Sequence, residues 1–291
     1  MLPKISILIT SFNREEFIDE CLESVINFNY TNAEIIIVDD CSTDNTYFQI
    51  KKFAKRDDRI KMYKNKINLG QFQNRNLAAS YASGEYLIFV DSDDTLLSEK
   101  LSLWMDILFA NPEIDFAICK NSIQSEKYRI LSSKDALIEH FFLSPFLIVG
   151  PGATLIKTKL FKSVGGFPII YGAAGDMFYN LMAASNGIVS IINFNYADYR
   201  RHDGQEINNS FDYLWGNFKY LNDFLNIFLN SNLSLLSSKE IKWIARKNKR
   251  RFIINIFSYF FKSRSLKSTL LAWKKADFNF YYLLHGIFHL N

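Results

Sequence analysis

Along the first hundred residues, short apolar runs alternate with segments whose apolar positions recur every three or four residues. Residues 5–10 read as a buried strand. Phe17, Ile18, Cys21, Leu22, Val25 and Ile26 then follow at helical spacing, with Asn13 placed to cap the helix and Glu16 at the reciprocal capping-box position. Residues 34–38 predict a second strand, and the loop Asp39-Asp40-Cys41-Ser42-Thr43-Asp44 leads into another helix. A third strand near residues 59–63 precedes a helix over about 70–82, which Gly84 can end in the left-handed conformation. Residues 86–90 predict a fourth strand. Such alternation implies parallel strands joined by right-handed crossovers, with ligands held at the strands' carboxyl ends.

From Phe211 onward the period becomes purely helical. Phe211, Leu214, Trp215, Phe218, Leu221, Phe224, Leu225, Phe228 and Leu229 form one apolar stripe. Ile241, Ile244, Ala245, Phe252, Ile253, Ile256, Phe257, Phe260 and Phe261 form another, flanking the cluster Arg246-Lys247-Asn248-Lys249-Arg250-Arg251. The expected architecture is therefore an α/β domain over about residues 1–210 and a helical extension over 211–291.

The predicted strand ends carry the chemistry. Thr10-Ser11-Phe12-Asn13, Asp39-Asp40 and Asp91-Ser92-Asp93-Asp94 converge on one rim. Crowded carboxylates raise one another's pKa unless a cation compensates, and a hard divalent ion, Mg²⁺ or Mn²⁺, that shares ligation with substrate phosphates is the simplest compensation. The alternative is that Asp91 to Asp94 make a solvated turn capping a helix that starts near Ser98.

Charge and composition narrow the picture. With 291 residues, 48% of them hydrophobic, the chain can bury a large core. Its net charge of +4 conceals an asymmetry: residues 239–291 hold 12 Lys/Arg against Glu240 and Asp277, leaving 22 Lys/Arg against 28 acids before them. The basic, aromatic tail fits an anionic membrane surface, or else packs on the catalytic domain or a second copy in a homo-oligomer. A nucleic acid is not an expected partner, because no reading motif accompanies the bases. Three cysteines without metal spacing, no signal-peptide pattern and no run of spanning length predict a cytoplasmic protein, peripheral at most on the inner face of the membrane.

Three segments in order, "ISILITSFNREEFIDECLESV", "EIIIVDDCSTDNT" and "NLGQFQNRNLAASYASGEYLIFVDSDD", resemble the N-terminal half of the family 2 glycosyltransferases, inverting enzymes of GT-A fold. The likeness spans about residues 3–110. Residues 160–185, "LFKSVGGFPIIYGAAGDMFYNLMAAS", look like the family's acceptor segment, and "YRRHDGQ", residues 199–205, is similar to a later donor-closing motif. The resemblance implies a donor site of Thr10, Ser11, Asn13, Asp39, Arg75, Asp91, Ser92, Arg200 and His202. Asp91 and Asp93 match the DXD pair, with Asp93 on the metal and His202 as a further metal or diphosphate ligand. Arg75 could equally be an ordinary exposed helix arginine. The implied activity is metal-dependent transfer from a nucleotide-sugar donor, with uridine favoured, to a glycan or lipid-linked acceptor.

Inversion needs one carboxylate base, and Asp176 is the match. Gly175 stands where the family usually has Glu, so Asp176 could also be a helix acid favoured by the dipole; Asp203 is an unmatched alternative. The pattern Asp91-Ser92-Asp93-Asp94-Thr95 also fits haloacid-dehalogenase-like phosphatases, but three strand units precede it here and the later acidic motif is incomplete. A nucleotide-sugar-binding protein without transfer activity is a further reading, supported by Gly175.

Overall fold

The computed structural model describes residues 2–120, 127–202, 210–230 and 235–276. The chain divides into two compact units, Met1–Phe167 with Ala183–Arg201, and Pro168–Met182 with His202–Asn291.

The first unit is a mostly parallel sheet flanked by helices. In chain order it contains β1 (Ile5–Ser11), α1 (Ile18–Ile26), β2 (Ala33–Asp39), α2 (Thr46–Ala54), β3 (Ile60–Lys64), α3 (Gln71–Ser80), β4 (Tyr86–Asp91), β5 (Thr95–Leu96), α4 (Ser98–Ala110), β6 (Ile114–Cys119), β7 (Tyr128–Leu131), α5 (Ser133–Ile138), β8 (Thr154–Lys157) and α6 (Thr158–Ser163). α7 (Gly175–Asn186) begins in the second unit and leads back to β9 (Ile188–Ile192) and β10 (Ala197–Asp198) of the first. The large sheet runs β3-β2-β1-β4-β8-β6-β9-β7. β1, β2, β3 and β4 are parallel, as their alternation with helices predicts, whereas β8 runs antiparallel to both β4 and β6. The central strands β1, β2 and β4 are apolar without alternation because helices cover both faces.

Two local expectations are corrected. Asn13 does not cap α1. Its backbone is left-handed (φ 51°), and its side-chain oxygen accepts from the Thr43 N–H at 2.9 Å, which ties the first rim loop to the second. The residue before α1 is Phe17, with no side-chain cap. Nor does Gly84 end α3 in the left-handed region: the helix stops at Ser80, and Tyr81 closes it in right-handed geometry. Gly84 is required by proximity, since a Cβ there would meet Ile5 C and Ser6 N at 2.7 Å. Beside it the buried Glu34 accepts from the Ser6 hydroxyl and the Ser83 N–H, both at 2.7 Å, and seals the end of the sheet opposite the rim.

The second unit contains the helices α8 (Ser210–Asn230), α9 (Ser238–Ser263) and α10 (Leu266–Lys275), packed around Leu214, Trp215, Phe218, Phe252, Ile256 and Ala272. Ser237 and Glu240 form a reciprocal capping box that starts α9. Gly216, in the middle of α8, allows a close approach: a Cβ there would lie 2.4 Å from the Tyr171 carbonyl oxygen. The segment before α7 can therefore rest directly on α8.

Candidate functional site

Register places the rim residues side by side. Thr10 pairs with Val38 on one neighbour and Asp91 on the other, and Ser11 pairs with Asp39. Adjacent strands lie about 4.8 Å apart, so the ends of β2, β1 and β4 present these polar groups as one row.

At one end of the row is Asp39, fully buried. It accepts from the Ser42 N–H at 3.0 Å and from the Ser11 hydroxyl at 3.5 Å, with Lys64 Nζ at 3.9 Å. Its neighbour Asp40 holds the next loop instead, accepting from the Leu69 and Gly70 N–H groups and the Asn65 amide. Buried carboxylates are tolerated when their oxygens are hydrogen-bonded. Both loops are consequently fixed in shape.

The short helix α3 divides its polar residues between framework and site. Asn74 is buried, donating to the Val38 carbonyl and accepting from Asn65. The Asn76 amide grips the Phe167 backbone at 2.7 and 2.8 Å. That grip fixes the Gly165-Gly166-Phe167 turn, both of whose glycines have positive φ. Arg75, between the two, points to the rim and pairs with Asp91 Oδ1 at 2.6 Å, its side chain only 11% exposed. It is therefore not an ordinary exposed helix arginine.

The Asp91-Ser92-Asp93-Asp94 loop is not a solvated turn either. Ser92 and Asp94 are buried, and Leu97, the residue before α4, makes no side-chain cap. The Asp94 N–H donates to the Asp91 carbonyl, closing a tight turn that leaves the acids together. Asp93 pairs with Arg14 at 3.2 Å. Arg200 reaches the same loop because β10 pairs antiparallel with β5; its backbone N–H donates to Asp94 Oδ1 at 3.0 Å and its Nε to the Asp93 carbonyl. Burial, followed by the charge of Asp91, pushes the Asp94 carboxyl up to about 7, even with Arg200 beside it. Asp93 adds to that rise, and Arg200 offsets part of it.

Gly152 faces this loop. A Cβ there would lie 3.3 Å from Asp91 Oδ2. Beyond it the segment to Ala153 walls a cavity of about 300 Å³ with Phe146, Ile148, Lys120 and Asn195. The wall is held by His140, buried, whose Nδ1 accepts from the Phe146 and Leu147 N–H groups. Burial, with Lys120 second, lowers this imidazole to about 4, so it stays neutral and keeps its acceptor.

Asp176 lies in the first turn of α7, buried, with its carboxylate accepting from the Met177 N–H at 2.8 Å. Gly175 has ordinary helical angles (φ −64°, ψ −33°), so no backbone strain demands glycine at that position. His202 is half-buried at the start of the second unit's long segment. Asp203 lies outside the described residues. Sequence reasoning missed Arg14, Gly152 and Gly216. Only Gly216 had a visible signal, a glycine inside an otherwise good amphipathic helix, where it weakens the helix unless something packs against it.

The carboxylate oxygens of Asp91 and Asp93 are hard donors that suit a divalent ion. Among the described residues no three acids, histidines or cysteines converge into a cage, so substrate oxygens would have to complete the shell.

Comparison with known proteins assigns the chain. The family model described as Glycosyl transferase family 2 matches residues 6–164. The chain belongs to this family. The UDP-Glc:alpha-D-GlcNAc-diphosphoundecaprenol beta-1,3-glucosyltransferase WfgD of Escherichia coli is 37% identical over 107 residues, 37% of this chain and 42% of that protein. Matches to three curated relatives span only 28%, 42% and 34% of their lengths. The crystal structure of S. aureus TarS 1-349 in complex with UDP-GlcNAc superimposes with a TM-score of 0.69 at 22% identity, covering 94% of this chain and 79% of that one. The mannosyltransferase PcManGT from Pyrobaculum calidifontis, in complex with GDP-Man and Mn²⁺, gives 0.60 at 16% identity, covering 99% and 84%. These likenesses establish the GT-A fold. With the family assigned, the phosphatase reading falls away.

Proposed function

We propose that this family 2 chain transfers a sugar, with inversion, from a nucleotide-diphosphate donor to a hydroxyl of a glycan or lipid-linked acceptor in cell-surface polysaccharide synthesis. The observation that carries the reading is the row of fixed carboxylates and arginines across the ends of β2, β1 and β4. Uridine is the favoured base. UDP-GlcNAc bound to TarS and UDP-Glc in the name of the E. coli relative support that preference, as does the diphosphoundecaprenol in that name for a lipid-linked acceptor.

In this reading Thr10, Ser11, Asn13 and Asp39 hold the base, with Asp39 offering a dry, fixed acceptor to a ring N–H. Arg75 sets Asp91 toward the ribose, while Ser92 and Arg200 shape the loop around the diphosphate. Asp93 would hold Mn²⁺ or Mg²⁺, with His202 assigned as a further ligand to the ion or the diphosphate. Bound there, the ion neutralises charge developing on the departing diphosphate. Asp176 takes the proton of the acceptor hydroxyl as that oxygen attacks the anomeric carbon from the face opposite the diphosphate.

The test is calorimetric titration of the protein with UDP, GDP, TDP and CDP, each with and without Mn²⁺. Manganese-dependent binding of UDP is expected. Absence of binding by any nucleotide to the folded protein would overturn the reading. If a nucleotide binds and no acceptor preparation supports sugar release, the binding-protein reading, motivated by Gly175, replaces it.

A further inference from the structure

α9 has two apolar stripes, and only one of them is used by the core of its unit. Ile241, Ile244, Asn248, Phe252 and Ile256 are its buried positions. Trp243, Lys247, Arg250, Ile254, Phe257 and Phe261 recur at intervals of four, three, four, three and four, and every one of them is exposed. At about 100° per residue these six fall on the side of the helix opposite the buried stripe. Phe261 is 73% exposed and Ile254 57%. Beyond the left-handed residue Arg264, α10 adds Leu266, Leu270 and Leu271, all exposed. A run of large apolar side chains left in water along two consecutive helices marks an interaction surface rather than scattered surface residues.

Its charge says what kind of partner fits. Residues 239–276 contain 12 Lys/Arg and one acid, Glu240, which is committed to the capping box. Lys262, Arg264, Lys267 and Lys274 are exposed beside the apolar positions, and the Lys247 ammonium sits 4.7 Å from the centre of the Trp243 ring. A second copy of this face would bring Lys247, Arg250 and their basic flanks against the same charges, with no acids to pair them. Nucleic acid would satisfy the bases but leave Ile254, Phe257 and Phe261 in water. No helix among the described residues is long and apolar enough to cross a membrane.

We propose that this face of α9 and α10 docks in the plane of an anionic lipid surface. Ile254, Phe257, Phe261, Leu266 and Leu270 enter the boundary between headgroups and acyl chains, while the lysines and arginines lie at phosphate level. The inference stands on exposure and charge and does not depend on the transferase reading. A lipid-linked acceptor would give such docking a use.

The experiment is co-sedimentation of the full chain with vesicles of phosphatidylcholine alone and of phosphatidylcholine with phosphatidylglycerol at about one third, at low and high salt. Binding to the anionic vesicles should exceed binding to neutral ones by at least about tenfold and fall as salt rises. Phe257→Ser with Phe261→Ser should lower it by at least about tenfold, and Lys262→Gln or Lys267→Gln by roughly fivefold each. Because all four side chains are exposed, the thermal midpoint and nucleotide titration should not change. Equal binding to both vesicles, binding to neither, or unaltered binding by the double Phe variant would overturn the proposal. So would a dimer in ultracentrifugation that the double Phe variant abolishes. Loss of nucleotide binding alone, with vesicle binding intact, would break the transferase reading and leave this one standing.

Discussion

The rim of the first unit and the outer face of α9 and α10 in the second handle residues that conflict with their surroundings in opposite ways. At the rim of the first unit, polar side chains are buried: Asp39, Asp40 and Asn74 are nearly inaccessible, and each is hydrogen-bonded to backbone and to another polar side chain. In the second unit large apolar side chains are exposed, from Trp243 to Leu271. A buried polar group must be bonded to be tolerated, so the first arrangement forces a rigid row of donors and acceptors. An exposed apolar group has no geometry to satisfy, so the second supports adhesion without fixed partners. The rim therefore suits a small, highly charged molecule such as the proposed donor, and the face of α9 and α10 suits an extended surface such as the proposed membrane.

Substitutions test this contrast. The largest effect is expected from Asp176→Asn and Asp93→Asn, assigned to different steps. Asp176→Asn should lower kcat by about 10²- to 10⁴-fold while leaving nucleotide affinity unchanged. Asp93→Asn should lose manganese-dependent nucleotide binding as well as turnover. Steady-state rates with calorimetry separate the two, and wild-type transfer by the Asp176 variant would move the base elsewhere.

Next in size is Gly216→Val. The new side chain has no room beside the Tyr171 carbonyl, and overpacking there should cost about 3 kcal/mol, read as a lower thermal midpoint. Transfer should fall further than UDP affinity, because the proposed base Asp176 lies in the second unit and most of the proposed donor residues in the first. Equal loss of both would show that the units unfold together.

His140 sets a pH dependence. Its folded pKa of about 4 lies below the ordinary 6.5, so the unfolded chain binds the extra proton first as pH falls. Stability is therefore full above about 6.5 and declines through the window down to about 4, by about 3 kcal/mol. His140→Gln should flatten that part of a stability–pH curve measured by urea unfolding. An unchanged curve would remove the assignment.

The smallest effect concerns Arg14, which competes with any cation for Asp93. Arg14→Gln should tighten Mn²⁺ binding by no more than about fivefold, the scale of a partly exposed ion pair. Electron paramagnetic resonance of free Mn²⁺ reads this without turnover, and weaker binding by the variant would show that Arg14 supports the ion site rather than competing with it.

Much of the first unit was legible because its signals are local. All-apolar runs mark β1, β2 and β4, and the polar residues that end them fall on one rim once the strands are parallel. The helix face of α1, with Ile18, Cys21, Leu22 and Val25 inward, follows from its period. Asn13 and Gly84 misled because each residue type has more than one use. Asn13 adopts a left-handed backbone to bond Thr43 rather than cap a helix, and Gly84 serves a close strand approach rather than a helix end. Arg14 and Gly152 left no periodic trace; only the placement of β4 beside β1 and β8 makes them neighbours of the acidic loop.

Sequence alone marks which residues end each strand, that three of those ends are polar or acidic, and that the chain after residue 238 is basic with a helical period. These follow from period and composition, which act within a few residues. How the charges pair follows from long-range packing, with Arg75 on Asp91, Arg14 on Asp93 and Arg200 folded back by β10 onto the loop. Packing likewise selects which stripe of α9 is buried and which faces water. Both depend on elements far apart in the chain, and a one-dimensional pattern carries no record of which of two suitable faces a neighbour will cover.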